Sequence, residues 1–225
     1  LQLVKEVGKI SAITLAHLNL KEAREAIGHT RWSTHGSVTK INAHPHSSQK
    51  GDFMLVQNGI VENFQELKQQ LQKKGYHFYS QTDSEVIVRL IEEQQTETVS
   101  LTEAVGKAFL LLKGRNAIVV LEQNGTIIAV RQGSPLLLGM GHHEYFLASD
   151  ASPLLEYTSQ ILFLDDLELV VLQEMKKPTI THLGTGEQIQ RVAETVSWTR
   201  EQAQKGHYPH FMLKEILEQR HTITA

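Results

Sequence analysis

The stretch DFMLVQNGIVENFQELKQQLQKKG, residues 52–75, decides how the chain is read. Its opening, over 52–57, has the apolar and β-branched content of a buried strand. An Asn-Gly pair, Asn58-Gly59, follows at once, and after a strand such a pair most simply marks a tight hairpin turn. The residues beyond it do not return as a partner strand. Phe64, Leu67 and Leu71 are spaced for one face of a helix that Gly75 terminates, so the pair falls at a strand-to-helix junction. An asparagine amide and a glycine N–H placed there are outward donors, an arrangement that stabilises an oxyanion.

Upstream lies GHTRWSTHGSVTKINAHPH, residues 28–46. Neither a period of two nor one of 3.6 is sustained in it, so it reads as a strand end opening into a loop. Arg31 offers a planar fork suited to a carboxylate or phosphate, and Trp32 beside it is placed to cover a small ligand. The plainer alternatives are a surface cation–aromatic contact for the Arg-Trp pair and structural roles for the histidines.

Downstream, residues 76–80 read as a short aromatic strand, and 82–85 open a helix carrying Val86, Ile87, Leu90 and Ile91. Asp83 either caps that helix or meets a ligand's ammonium. A third helix over 101–112 has Ala104, Val105, Ala108, Leu111 and Leu112 at core spacing.

The character then changes to strands. Segments 117–121 and 126–130 form a hairpin around Gln123-Asn124-Gly125, and 135–139 pairs with 145–148 around Gly141-His142-His143. Ser149-Asp150 caps 152–157. Strands over 161–164 and 167–172 are separated by Asp165-Asp166, which reads as an acidic turn rather than acid–base machinery or metal ligands. Residues 179–192 are a hairpin whose Gly184-Thr185-Gly186 lacks the following helix of a phosphate loop. At the amino end a short β-like piece precedes a brief helix over 11–18 capped by Ser11. The tail from Ser197 is polar until HFMLKEI, 210–216, the entrance to another element.

With 225 residues and 40% hydrophobic composition the chain buries a full core. No Pro-, Gly- or Ser-rich linker divides it, which points to one large domain. A net charge of -3 argues against a nucleic-acid partner. Its apolar runs are far shorter than the roughly 18 residues of a membrane span. No secretory leader opens it, so the expected setting is cytoplasmic and free of membrane. With no cysteine, disulfides, zinc thiolates and a thiol nucleophile are excluded from these residues.

GHTRWSTHG (28–36), NAHPH (42–46), QNGIVEN (57–63), QTDSE (81–85), RQGSPL (131–136), ASD (148–150) and HFMLKEI (210–216), in this order, resemble one family. It is the class II glutaminase domain of the glucosamine-6-phosphate synthases, the isomerizing glutamine:fructose-6-phosphate aminotransferases. The resemblance implies an α+β fold of Ntn-hydrolase type, an αββα sandwich of two antiparallel sheets between helical layers. It implies a glutamine amidotransferase type-2 domain over 1–208, with 209–225 beginning a linker toward a sugar-phosphate isomerase domain of the same polypeptide.

By the same resemblance Arg31 grips the α-carboxylate of L-glutamine and Asp83 its α-ammonium. Asn58 and the Gly59 N–H form the oxyanion hole, and Trp32, Thr34 and His35 belong to a loop that folds over the substrate. It calls for no metal and no cofactor, and implies a homo-oligomer in the full-length protein. The zwitterionic substrate gives these roles an independent physical basis, because one cation and one anion must sit a few ångströms apart to select it.

The chain departs from the pattern in three places. The family's nucleophile, an amino-terminal cysteine whose own amine is the base, is missing, as is the segment expected to precede Leu1. The domain is therefore expected to be N-terminally incomplete and inactive alone. Gln57 stands where histidine is usual and Ser33 where alanine is usual. The competing readings are a non-catalytic glutamine-binding or scaffold domain and a class II amidotransferase acting on another acceptor.

Overall fold

The computed structural model describes residues 1–9, 13, 23–33, 36–197 and 208–222. They form two compact units, neither continuous in sequence: residues 1–136 with 164–190, and 137–163 with 191–225. A chain that leaves a unit and returns needs no linker, which is why composition alone shows no division.

The first unit is built on an antiparallel sheet. Its strands are β1 (His46–Ser47), β2 (Phe53–Gly59), β3 (Asn116–Glu122) and β4 (Ile127–Gln132), with β8 (Glu168–Leu172), β9 (Thr179–His182) and β10 (Gln188–Ile189). Their order is β1-β2-β3-β4-β8-β9-β10. Phe53, Leu55, Ile118, Val120, Ile128 and Val130 share one core with helices α1 (Phe64–Lys73), α2 (Asp83–Gln95) and α3 (Leu101–Leu110). Alternate residues on the other face, Val56, Ala129 and Val170, are buried as well. Burial on both faces explains why these strands read as unbroken apolar runs. Helix α2 packs on both α1 and α3 and touches β1 and β2, so its first turn is fixed beside the end of β2.

The second unit holds a sheet of order β11-β7-β5-β6. Its strands are β5 (Leu137–Met140), β6 (Tyr145–Ala148), β7 (Gln160–Phe163) and β11 (Glu194–Thr195). Leu137, Ala151, Leu154 and Ile161 form its core, and α4 (Phe211–Thr222) belongs to it.

The strand-to-helix passage at Asn58-Gly59 and both hairpins around Gly125 and Gly184-Thr185-Gly186 agree with the sequence reading. Other expectations do not. Residues 1–9 and 23–27 contain no strand. Residues 76–80 are not laddered; the Tyr79 and Ser80 N–H groups donate to the Glu85 carboxylate at 3.0 and 2.6 Å, so a side chain takes the bonds a partner strand would. Leu111 lies just past α3 and is 47% exposed. The strands flanking Asp165-Asp166 belong to different sheets, and Asp166 accepts from the Gly133 N–H at 2.8 Å and pairs with Arg131. Asp150 Oδ1 accepts from the Ser152 N–H at 2.7 Å, but only the short 3-10 helix Ser152–Leu154 follows. The helix expected over 11–18 lies outside the described residues, residue 13 excepted. No described helix is long and apolar enough to cross a membrane.

Candidate active site

The end of β2, the first turn of α2 and the coil at 29–32 enclose a cavity of about 270 Å³ within the first unit. Arg31, Trp32, Asn58, Gly59 and Asp83 all line it, together with His29, Thr30, His44, Gln57, Ile60, Thr82 and Ser84. Five of the seven residues singled out from sequence thus share one hollow. Thr34 and His35 lie outside the described residues.

Gly59, the last residue of β2, has φ +118°, a backbone conformation that side-chain-bearing residues rarely adopt. A Cβ there would collide with the Arg115 carbonyl oxygen, so only glycine fits. On Asn58, Oδ1 is 2.8 Å from His29 Nε2. An amide oxygen only accepts, so His29 donates through Nε2–H and the Asn58 NH2 is the end left for another acceptor. Burial, against the Asn58 hydrogen bond and with help from Arg31, lowers the His29 pKa.

Asp83 is 5% exposed and is not the cap of α2. Thr82 is the cap: it has extended backbone and its hydroxyl accepts from the Glu85 N–H. That leaves Asp83 at the first helical position with one carboxylate oxygen, Oδ2, accepting from the Val61 N–H at 2.9 Å. The interaction ties the aspartate to the segment leaving β2.

Behind Asp83 runs a buried polar chain that sequence reasoning missed. Ser84 Oγ donates to Gln57 Oε1 at 2.5 Å, and Gln57 Nε2 donates to Asn116 Oδ1 at 2.7 Å. With the Ser84 proton committed, His44 Nε2, 2.8 Å away, is a donor to the hydroxyl oxygen. His44 is therefore no base for Ser84, and burial holds its pKa down to about 2. Burial also lowers His46, whose Nε2 lies 3.0 Å from the Thr82 hydroxyl, to about 3. Gln57, acceptor and donor at once, satisfies both neighbours. The sequence signal that marked these positions was the bare density of polar residues in NAHPH and QTDSE, which carries no orientation.

The opposite wall is coil. Arg31 Nη1 and Nη2 donate to the carbonyls of Ser37 and Gly36 at 3.1 and 3.3 Å. Trp32 is 89% exposed at the rim and covers nothing in this conformation.

The cavity therefore presents a guanidinium, a carboxylate and an amide N–H donor, which suits a small zwitterion bearing a carbonyl. A model of the glutamine amidotransferase domain matches residues 17–208. The chain belongs to that family. Among relatives of this glutamine amidotransferase domain is the glutamine–fructose-6-phosphate aminotransferase (isomerizing) of Thermococcus kodakarensis, 45% identical over 219 residues. The enzyme of the same name from a strain of Thermus thermophilus is 46% identical over 221 residues. The matches cover 96 and 97% of this chain and 36% of each relative, so the chain spans about a third of their length.

Among solved structures, glutamine phosphoribosylpyrophosphate amidotransferase of B. subtilis, complexed with ADP and GMP, superposes with a TM-score of 0.60. It is 23% identical, over 70% of this chain and 34% of that one. The allosteric regulatory enzyme of purine biosynthesis superposes with a TM-score of 0.58, at 23% identity over 65% of this chain and 32% of that one. These likenesses establish a shared α+β fold with antiparallel sheets.

Proposed function

We propose that this domain binds L-glutamine, with the α-carboxylate on Arg31, the α-ammonium on Asp83 and the side-chain carbonyl facing the Asn58 NH2 and the Gly59 N–H. The supporting observation is that one cavity is bounded by all four residues. Thr34, His35 and Trp32 close over the ligand. In the whole protein the glutamine amide is attacked at its carbonyl carbon, and the resulting oxyanion is held by the two donors. Collapse breaks the C–N bond and releases ammonia, leaving glutamate after hydrolysis. One such donor is typically worth about 2.7 to 4 kcal/mol.

These residues contain no cysteine, and the thiol nucleophile that the family resemblance implies would be supplied by a segment outside them. The domain extends over 1–208 within an αββα sandwich, and 209–225 leads toward a sugar-phosphate isomerase domain. There the ammonia converts fructose 6-phosphate to glucosamine 6-phosphate, in a cytoplasmic homo-oligomer. This reading rests on the two aminotransferase relatives, of which the chain covers about a third.

The absence of cysteine also supports a second reading, a glutamine-binding domain without catalysis. Assay of the full-length protein separates the two. Glutamate release, coupled to glucosamine 6-phosphate when fructose 6-phosphate is added, is the expected result. Glutamine binding without hydrolysis selects the second reading, and failure to bind glutamine overturns both.

A further inference from the structure

The cation and the anion of the cavity sit on different segments, and a short hydrogen-bonded path joins them. The Ser37 carbonyl that accepts from Arg31 Nη1 at 3.1 Å also accepts from Asn42 Nδ2 at 2.9 Å. The other end of the same amide, Asn42 Oδ1, accepts from the Gln81 N–H at 2.9 Å. Gln81 lies two residues before Asp83. Its own side-chain oxygen accepts from the Ser37 N–H at 3.2 Å and from Asn42 Nδ2 at 3.2 Å, closing a ring. Asn42 is 1% exposed, and its amide is spent wholly on this junction. The loop approaches so closely that a Cβ on Gly36, at φ +76°, would stand 2.8 Å from Gln81 Cβ and 3.0 Å from Asn42 Nδ2.

We propose that Asn42 and Gln81 are positioning residues: they brace the loop carrying Arg31 against the start of α2 and so set the spacing between the carboxylate-binding and ammonium-binding groups. Neither residue touches the ligand. The inference rests on the glutamine reading of the cavity. A ligand that engages both ends gains affinity only if both partners are held at its own spacing, so the gain depends on preorganisation. A ligand that meets only the groups on β2 and α2, and not Arg31, draws nothing from the brace.

The test measures dissociation constants of L-glutamine and of 4-aminobutanamide, which is glutamine without its carboxylate and meets only Asp83, Asn58 and Gly59, for the unaltered protein, Asn42→Ala and Gln81→Ala. Asn42→Ala is expected to weaken glutamine about tenfold while 4-aminobutanamide changes by less than about twofold. Gln81→Ala, at an exposed position, shows the same pattern at smaller size. Amide exchange of Ser37 and Gln81 without ligand quickens in Asn42→Ala. Equal weakening of both ligands, or none, overturns the brace and leaves the glutamine pocket standing. If glutamine does not bind the unaltered protein, the pocket assignment falls and the brace with it.

Discussion

The wall of the cavity made by β2 and α2 and the wall made by residues 29–37 are held by different forces. The first rests on Phe53, Leu55, Val61, Val86 and Ile87, all fully buried, and Gln57, Ser84 and Asp83 are hydrogen-bonded to neighbours inside that core. The second has no regular secondary structure among its described residues, and its arginine donates to the carbonyls of Ser37 and Gly36 among its partners. Displacing the first wall means disrupting the core. Displacing the second breaks a few hydrogen bonds of about 0.5–1.5 kcal/mol each. The groups proposed to meet the reacting carbonyl stand on the first, stiff wall with Asp83, and Arg31 and Trp32, proposed to grip the carboxylate and cover the substrate, stand on the second.

Substitutions on the two walls should therefore fail in different kinetic terms. Asn58→Ala in the full-length enzyme is expected to lower kcat about 10²–10³-fold with little change in glutamine KM, because its donor acts on the developing oxyanion. A matching rise in KM would place Asn58 in ground-state binding instead. Arg31→Ala is expected to raise KM about 10- to 100-fold through loss of a charge-assisted pair, leaving kcat nearly unchanged; an unaltered KM removes Arg31 from the carboxylate.

The buried histidines beside the stiff wall carry an acid liability. His44 and His46 are held neutral by burial, at about 2 and about 3 in the folded protein. The unfolded chain takes up their protons near the ordinary value of 6.5, so their contribution to stability is complete above that pH. It is lost as pH falls from 6.5 toward 3, by about 1.4 kcal/mol per unit for each ring. Urea unfolding at pH 7, 6 and 5 should show the decline, and His44→Gln with His46→Gln should flatten it; parallel slopes refute the assignment. The smallest effect is expected of Trp32→Ala, which should leave stability within about 0.5 kcal/mol while weakening glutamine a few-fold by titration. A large loss of stability would show that the indole is packed after all.

The stiff wall was the legible one. Phe64, Leu67 and Leu71 gave a helical period directly after an apolar strand, and that is enough to turn Asn58-Gly59 from a hairpin into a junction. Five of the residues to which the motif resemblance gave roles line one cavity. What could not be read is what has no period. Thr82 and Asp83 are both good caps, and only backbone geometry assigns the role to Thr82. Tyr76 to Ser80 has strand composition, yet the Tyr79 and Ser80 N–H groups go to a carboxylate six and five residues on. Leu164 and Leu167 flank an acidic pair like any hairpin, but the choice between two sheets is made by contacts far along the chain. His29, Asn42 and Gln81 are polar residues whose importance lies in which atom faces which neighbour, a property that spacing does not encode.

Among the described residues the seven-stranded sheet ends at both sides in strands of only two residues, β1 and β10. An exposed sheet margin is a template on which another molecule's extended segment adds, and its reach scales with the number of consecutive open peptide groups. Finishing each side on so brief a strand offers a stray neighbour too few successive bonds to lock on. The margin thereby limits stacking into fibrils even though the strands behind it are among the most apolar in the molecule.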